Sequence, residues 1–118
     1  MADDEKRRHH RFMALLEIRV RPGEGVPEDL QLMTKDIGTG GARCFSNRSL
    51  PRDLGLKLTL SLVGGDPRSP AMVEVEAKVL RTFNKTSAIE ARRFEVALEF
   101  TRMEPADRAR LQSYLNGL

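Results

Sequence analysis

Hydrophobic and polar residues alternate along most of this chain with a period of two, the pattern of β-strands that bury one face. The clearest case runs from Leu56 to Leu62, where every second residue is leucine and the residues between are polar. The alternation begins at Phe12. It predicts about six strands, containing the segments Leu16–Val20, Leu30–Ile37, Ala42–Phe45, Leu56–Leu62, Val73–Val79 and Phe94–Phe100.

Residues that favour turns separate these segments. Proline and glycine mark residues 22–25 and 64–70, and a polar stretch at 84–91 connects the last two strands. Between the second and third segments, Gly38, Gly40 and Gly41 permit backbone angles that other residues avoid. We therefore expect a tight reversal of the chain at these glycines.

The last segment changes to the spacing of a helix. Leu111, Tyr114, Leu115 and Leu118 fall at i, i+3, i+4 and i+7 and form one apolar stripe, while Pro105 suits a first helical turn. The sequence predicts an amphipathic helix at about residues 104–117, with its stripe buried on the sheet or on a partner. Short strands joined by turns indicate a mainly β fold, an antiparallel barrel or sandwich.

Composition narrows the class of protein. The chain has 118 residues, which fits one domain, and its formal net charge is only +3. Cys44 is the single cysteine, so an internal disulfide and a CxxC metal site are excluded, as suits a reducing cytoplasm. Apolar stretches are too short to span a membrane, and the N-terminus lacks a secretory signal. We expect a cytoplasmic protein that does not insert into membranes.

Residues 1–11 lack apolar periodicity and carry a local basic excess at Lys6, Arg7, Arg8 and Arg11. A charge run of this kind is ordinarily a solvated tail. We predict a flexible basic arm at residues 1–11, followed by a single domain at residues 12–118.

No arrangement typical of a catalytic or metal centre is evident, so we predict a protein that is not an enzyme and holds no cofactor. The adjacent His9 and His10 lie in the arm and do not converge on one metal. Cys44 has no recognisable base partner and is interpreted as a small buried residue. Glutamates on the polar strand faces are interpreted as solvated, namely Glu74, Glu76, Glu95 and Glu99.

Binding is the remaining class of function. Arginine pairs with phosphate oxygens and with guanine O6 and N7, and Arg7 and Arg11 could reach different parts of one ligand. Asp36 can accept hydrogen bonds from the Watson–Crick edge of guanine, and the glycines after it let a flat base approach the backbone. Together these residues fit a guanine nucleotide with phosphates. Nucleic acid is not expected, because only 5% of the residues are aromatic and none is tryptophan.

At these residues the chain resembles the PilZ domain family. Arg7, Arg8 and Arg11 match the family's RRxxR arm motif, and Asp36 and Gly41 match its [D/N]xSxxG motif, with Gly38 in the serine position. The midsection around Leu50–Leu62, the strand Phe94–Phe100 and the helix from Glu104 follow the same family. The resemblance extends from about Glu5 to the end of the chain.

The resemblance implies a six-stranded antiparallel barrel of split, Greek-key-like topology with a C-terminal helix. It implies a bacterial receptor for cyclic di-GMP, which often binds such sites as an intercalated dimer. The arm would fold over the ligand, and its ordering would create a surface for a partner protein acting in trans, in motility, exopolysaccharide or transcriptional control. The predicted ligand-binding residues are Arg7, Arg8, Arg11, Asp36, Gly38, Gly40 and Gly41.

Alternatives remain open at single residues. Arg8 could be a solvated neighbour, Asp36 could simply cap the turn, and the glycines could serve the backbone first. Gly38 lacks the family's serine hydroxyl, and one lost neutral hydrogen bond costs about 0.5–1.5 kcal/mol. Each arginine contributes charge-assisted bonds of about 1.5–3 kcal/mol, so we expect binding to survive. The alternative is a PilZ-like adaptor that does not bind cyclic di-GMP and acts through protein contacts.

Overall fold

The structure is a computed structural model that describes residues 12–62, 71–84 and 92–117. Within these residues the chain forms seven strands and one helix. The predicted arm and the connections at 63–70 and 85–91 lie outside the described residues. The elements are β1 (Phe12–Met13), β2 (Glu17–Val20), β3 (Leu32–Ile37), β4 (Gly41–Ser46), β5 (Gly55–Leu62), β6 (Ala71–Asn84), β7 (Phe94–Arg102) and α1 (Pro105–Asn116).

The strands close into an antiparallel barrel. Neighbours follow the order β3–β2–β5–β6–β7–β4, and β4 pairs with β3 to complete the ring. β1 also pairs with β3, opposite Asp36 and Ile37, while β2 pairs with Leu32 and Met33 further along the same strand. β1 and β2 are therefore two halves of one interrupted strand. The barrel has six strands and one C-terminal helix, which confirms the predicted fold class.

One side chain bridges the interruption between β1 and β2. The hydroxyl of Thr34 accepts a hydrogen bond from the backbone nitrogen of Leu16 at 2.7 Å and donates one to the carbonyl of Ala14. Thr34 is fully buried, so its hydroxyl satisfies backbone groups that the broken ladder leaves without strand partners.

The apolar alternation found in the sequence lines the interior of the barrel. The leucines of β5 and the odd-numbered residues Val73 to Val79 of β6 are all buried. α1 packs against β6 and buries Leu111 and Leu115, as its apolar stripe predicted. Among the described residues, no helix is long and apolar enough to cross a bilayer.

A β-bulge in β3 changes the face on which Asp36 lies. Thr34 pairs with Cys44 and faces inward, but the register slips at Lys35, and Asp36 then pairs with Arg43. Because successive strand residues point to opposite faces, the extra residue reverses the alternation. Asp36 therefore shares the outer face of the barrel with Arg43, and Ile37 returns to the core.

A second bulge has the same effect in β6. Val79 is buried and pairs with Leu98, the register slips at Leu80, and Arg81 then pairs with Ala97. Beyond the bulge the odd-numbered residues are on the outside, so Arg81 and Phe83 lie on the outer face. The two bulges thus direct residues of β3 and β6 onto one outer surface, which also includes β4 and β7.

Candidate ligand-binding site

The predicted glycine turn is a tight hairpin between β3 and β4. The backbone nitrogen of Gly38 donates to the carbonyl of Gly41 at 2.9 Å, and the nitrogen of Phe100 donates to the carbonyl of Gly40 at 2.9 Å. Arg108 of α1 reaches the carbonyl of Thr39 at 3.4 Å. The turn is therefore fixed to β7 and in contact with α1.

Gly41 is required by close packing of backbones. A Cβ atom at this position would lie 2.4 Å from the carbonyl oxygen of Leu98 in β7. No positive φ angle occurs at Gly38, Gly40 or Gly41, whereas Gly25 has a φ of 77°. The sequence-based explanation by unusual backbone angles was therefore wrong for these three residues, although the tight reversal is present. At Gly41 the physical reason is the short distance between β4 and β7.

Asp36 lies near the end of β3, half-buried on the outer face. It stands between Met13 of β1 and Arg43 of β4 in the strand register. Phe12 pairs with Ile37 at the same end of β3, so the chain enters the barrel beside Asp36. The predicted binding residues Arg7, Arg8 and Arg11 lie outside the described residues, and Arg11 directly precedes Phe12 in sequence.

The outer face of β3, β4, β7 and β6 carries a cluster that the sequence analysis did not identify. Strand register aligns Phe45, Glu95 and Phe83 in one row across β4, β7 and β6. The neighbouring row contains Asp36, Arg43, Ala97 and Arg81. We name the following residues the outer patch: Lys35, Arg43, Phe45, Arg81, Phe83, Arg92 and Glu95.

Cations of the outer patch lie over its two aromatic rings. The guanidinium carbons of Arg43 and Arg81 are 5.0 Å and 5.3 Å from the centre of the Phe83 ring. That of Arg92 lies 4.9 Å from the centre of the Phe45 ring. These distances are within the range of cation–π attraction. The rings thus hold three arginine side chains against the surface of the barrel.

Glu95 is the buried anion of the outer patch. Its side chain is 4% exposed, and its carboxylate lies 2.8 Å from Nζ of Lys35 and 3.6 Å from Nη1 of Arg43. The sequence-based prediction that Glu95 is solvated was therefore wrong. Phe45 and Phe83 flank it on the adjacent strands and exclude water, while the two cations compensate its charge.

The outer patch left only a weak signal in the sequence. The chain contains five phenylalanines, and period-two alternation places Phe45 together with Arg43 on the polar side of β4. An aromatic residue on a predicted polar face is a reason to suspect a binding surface. Arg81 and Phe83 could not be assigned to that face, because the bulge at Leu80 is not evident from the alternation.

The cleft beside the start of α1 is less suited to an anionic ligand. This cleft of about 270 Å³ mixes acidic and basic side chains, and Arg21 forms an ion pair with Glu74 there.

Cys44 is fully buried on the inner face of β4, as its interpretation predicted. Among residues 12–62, 71–84 and 92–117, no group of histidine, cysteine and acidic residues could hold a metal ion.

A family model and a solved structure both match this chain and support its barrel fold. The family model described as "PilZ domain" matches residues 5–117. The solved structure of the Bacillus subtilis inhibitor of motility, MotI/DgrA, superimposes with a TM-score of 0.72 at 22% identity. The match covers 92% of this chain and 48% of that one, so this chain spans about half the length of that protein and shares its fold. None of the curated proteins searched matches the chain.

Proposed function

From the premise that this chain belongs to the PilZ domain family, we propose that it binds cyclic di-GMP and acts as a non-catalytic receptor. The ligand lies on the outer face of the barrel beside the β3–β4 turn. Asp36 accepts hydrogen bonds from a guanine edge, and Arg7, Arg8 and Arg11 bind phosphates and bases from above. Binding as an intercalated dimer is part of the proposal.

The pairing of β1 with the end of β3 is the observation that carries this proposal. Phe12 and Met13 lie opposite Ile37 and Asp36, so the segment that follows Arg11 runs directly beside the acidic residue. Arg11 directly precedes Phe12 in sequence, so the first motif is joined to the barrel at the edge where the second motif begins. Arg11 and Arg7 lie one and five residues before Phe12 in sequence, so a basic arm attached at this point could reach a ligand held by Asp36.

The output of such a receptor is mechanical. An arm that orders over bound ligand presents a new surface, which a partner protein can recognise in trans. The Bacillus subtilis structure of the same fold is described as an inhibitor of motility. A motility component is therefore one class of partner to test, beside exopolysaccharide and transcriptional proteins. The proposed location is the bacterial cytoplasm, where the messenger is available.

The test is calorimetric titration of the protein with cyclic di-GMP at low salt. We expect saturable binding by the wild type, loss of binding in Arg7→Ala and Arg11→Ala, and a large loss in Asp36→Ala. Each substitution of an arginine removes charge-assisted bonds of about 1.5–3 kcal/mol, which corresponds to a decrease in affinity of roughly 10- to 150-fold. Arg19→Ala is the matched control, because Arg19 is an exposed arginine of β2 paired opposite Thr59, away from the turn.

An absence of heat with the wild-type protein at micromolar concentration would overturn the proposal. So would equal binding by Arg7→Ala, Arg11→Ala and Arg19→Ala, because the arm would then have no part in recognition. Titration with GMP in place of cyclic di-GMP serves as the ligand control, and weaker binding of GMP is expected because it offers one base and one phosphate.

A second candidate is an adaptor that works without the ligand. It is favoured by the glycine at position 38, where the family has a serine. Gly38 is buried and hydrogen-bonded to Gly41 within the turn, so the hairpin is formed without the family's serine. Gly38→Ser distinguishes the two candidates. If the protein is a receptor, the hydroxyl should strengthen binding by roughly 2- to 13-fold, the equivalent of one neutral hydrogen bond. An adaptor would show no ligand binding in either variant.

A further inference from the structure

Ala97 forms a low point on the outer face between two arginines. It pairs with Arg43 of β4 on one side and with Arg81 of β6 on the other. Adjacent strands are about 4.8 Å apart, so the two arginine backbones lie about 10 Å from each other across this small residue. Ala97 carries only a methyl group between them, and the guanidinium group of Arg43 extends across β7 toward Phe83 of β6.

Phe83 holds both guanidinium groups at this position. The distances of 5.0 Å and 5.3 Å to its ring show that Arg43 and Arg81 share one aromatic support. An arginine that lies on a ring keeps the N–H donors at its edge directed outward, and less rotamer freedom is lost when a ligand binds. The side chain of Arg43 is still 41% exposed, so its donors are accessible from solvent.

Glu95 fixes Arg43 from the adjacent row. Its carboxylate contacts Nη1 of Arg43 at 3.6 Å and is also bonded to Lys35 at 2.8 Å. Because one anion is shared between two cations, and Arg81 and Arg92 add further positive charge, the outer patch has an excess of cations. A phosphate group is the ligand chemistry that matches two guanidinium groups held at one aromatic ring.

We infer that Arg43 and Arg81 bind a phosphodiester group of the ligand over Ala97, in the same site as Asp36. This inference rests on the proposed function. Asp36, Arg43 and Ala97 lie on three successive strands, so a guanine at Asp36 and a phosphate over Ala97 are about two strand spacings, ~10 Å, apart. A base, its sugar and the attached phosphate can span that distance. The outer patch thus extends the site beyond the two sequence motifs.

The experiment is titration of the full-length chain with cyclic di-GMP, comparing Arg43→Ala and Arg81→Ala with Arg102→Ala. Arg102 is an exposed arginine of the same strand as Ala97, but five residues away, or about 17 Å along β7. We expect a decrease in affinity of roughly 10- to 150-fold for Arg43→Ala and for Arg81→Ala, and no change for Arg102→Ala.

Two further measurements separate contact with phosphate from a structural role. Arg43→Lys keeps a positive charge for Glu95, but a lysine cannot form the bidentate pair, so its affinity should lie between those of the wild type and Arg43→Ala. The affinity of the wild type should fall with added salt more steeply than that of Arg43→Ala, because a charged contact is screened. Thermal unfolding of each variant verifies that the barrel is intact.

The outcomes distinguish this inference from the proposed function. If the wild type binds, Arg7→Ala does not, and Arg43→Ala and Arg81→Ala bind like Arg102→Ala, the proposed function stands and the inference is overturned. The inference is also overturned if Arg43→Ala loses affinity without any change in salt dependence, because the arginine would then act through the fold. Failure of the wild type to bind overturns both.

Discussion

Glu74 and Glu95 occupy equivalent places in the sequence pattern but have opposite environments in the barrel. Each lies between two apolar residues in an alternating strand, and each was predicted to be solvated. The side chain of Glu74 is 62% exposed and pairs with the exposed Arg21, whereas that of Glu95 is 4% exposed. The outer face of the barrel therefore has two different regions, although both are polar in sequence.

The number and type of neighbouring strands explain the difference. Glu74 pairs with Thr59 of β5, and the described pairing of β6 with β7 begins only at Glu76. Glu95 has a paired strand on each side, and both neighbours are phenylalanines. A carboxylate between two aromatic rings loses water and needs cations in compensation, while one beside a threonine keeps its hydration.

The two regions differ in how their charges are held. At Glu74 the charges form single ion pairs with water around them, and such pairs stabilise proteins only weakly. At Glu95 the arginines lie on aromatic rings beside the predicted site residue Asp36. Preorganised, partly dehydrated cations are suited to bind an anion, which is why the proposed ligand site includes the outer patch and not the cleft at Glu74.

The largest expected effect tests whether any side chain fits at Gly41, on the same face as Glu95. Gly41→Ala should destabilise the barrel by about 3 kcal/mol, because its Cβ would meet the carbonyl oxygen of Leu98 at 2.4 Å. Urea unfolding followed by circular dichroism measures the change. Gly55→Ala is the control, because a Cβ there has no neighbour within 4 Å, and its effect should stay within about 0.5 kcal/mol.

Gly41→Ala also separates the fold from ligand recognition at this motif. If Gly41→Ala were as stable as the wild type, the close approach of β4 to β7 would not be the reason for a glycine. The glycine of the [D/N]xSxxG motif would then have to be explained by contact with the ligand alone.

The second-largest expected effect tests whether Glu95 and Glu74 differ in their contribution to stability. Glu95→Gln keeps the size of the side chain but removes the negative charge that pairs with Lys35 and Arg43. The free energy of unfolding should decrease by about 1–2 kcal/mol. Glu74→Gln, the matched change at an exposed pair, should cost less than about 0.5 kcal/mol. Both are measured by urea unfolding at neutral pH. Equal costs would show that the two glutamates are energetically alike despite their different burial.

The smallest effect concerns another exposed ion pair. The hydrogen bond from Arg48 holds the pKa of Asp29 below its ordinary value of 3.8. Because the folded-state pKa is lowered, the pair stabilises the fold above the unfolded pKa, and this contribution is lost as the pH falls through the folded pKa. NMR titration should find the lowered pKa in the wild type and a pKa closer to 3.8 in Arg48→Ala. An unchanged pKa in Arg48→Ala would contradict the assignment.

Much of the fold could be predicted from local patterns. The leucines of β5 and the valines of β6 identified buried strand faces, and the spacing of Leu111 and Leu115 identified the apolar side of α1. The position of the candidate site was harder to predict. Asp36 was identified by its motif, but Arg43, Arg81 and Phe83 belong to no motif, and their proximity depends on pairing between distant strands.

The sequence by itself determined most of the apolar residues that are buried in the interior, because a period of two is a local property of each strand and apolar burial drives it. Only the tertiary structure decided the composition of the outer face. The bulges at Lys35 and Leu80 reverse the alternation within β3 and β6, and strand pairing then aligns Asp36, Arg43 and Arg81 in one row. Pairing is a long-range property, so no single segment of the sequence contained it.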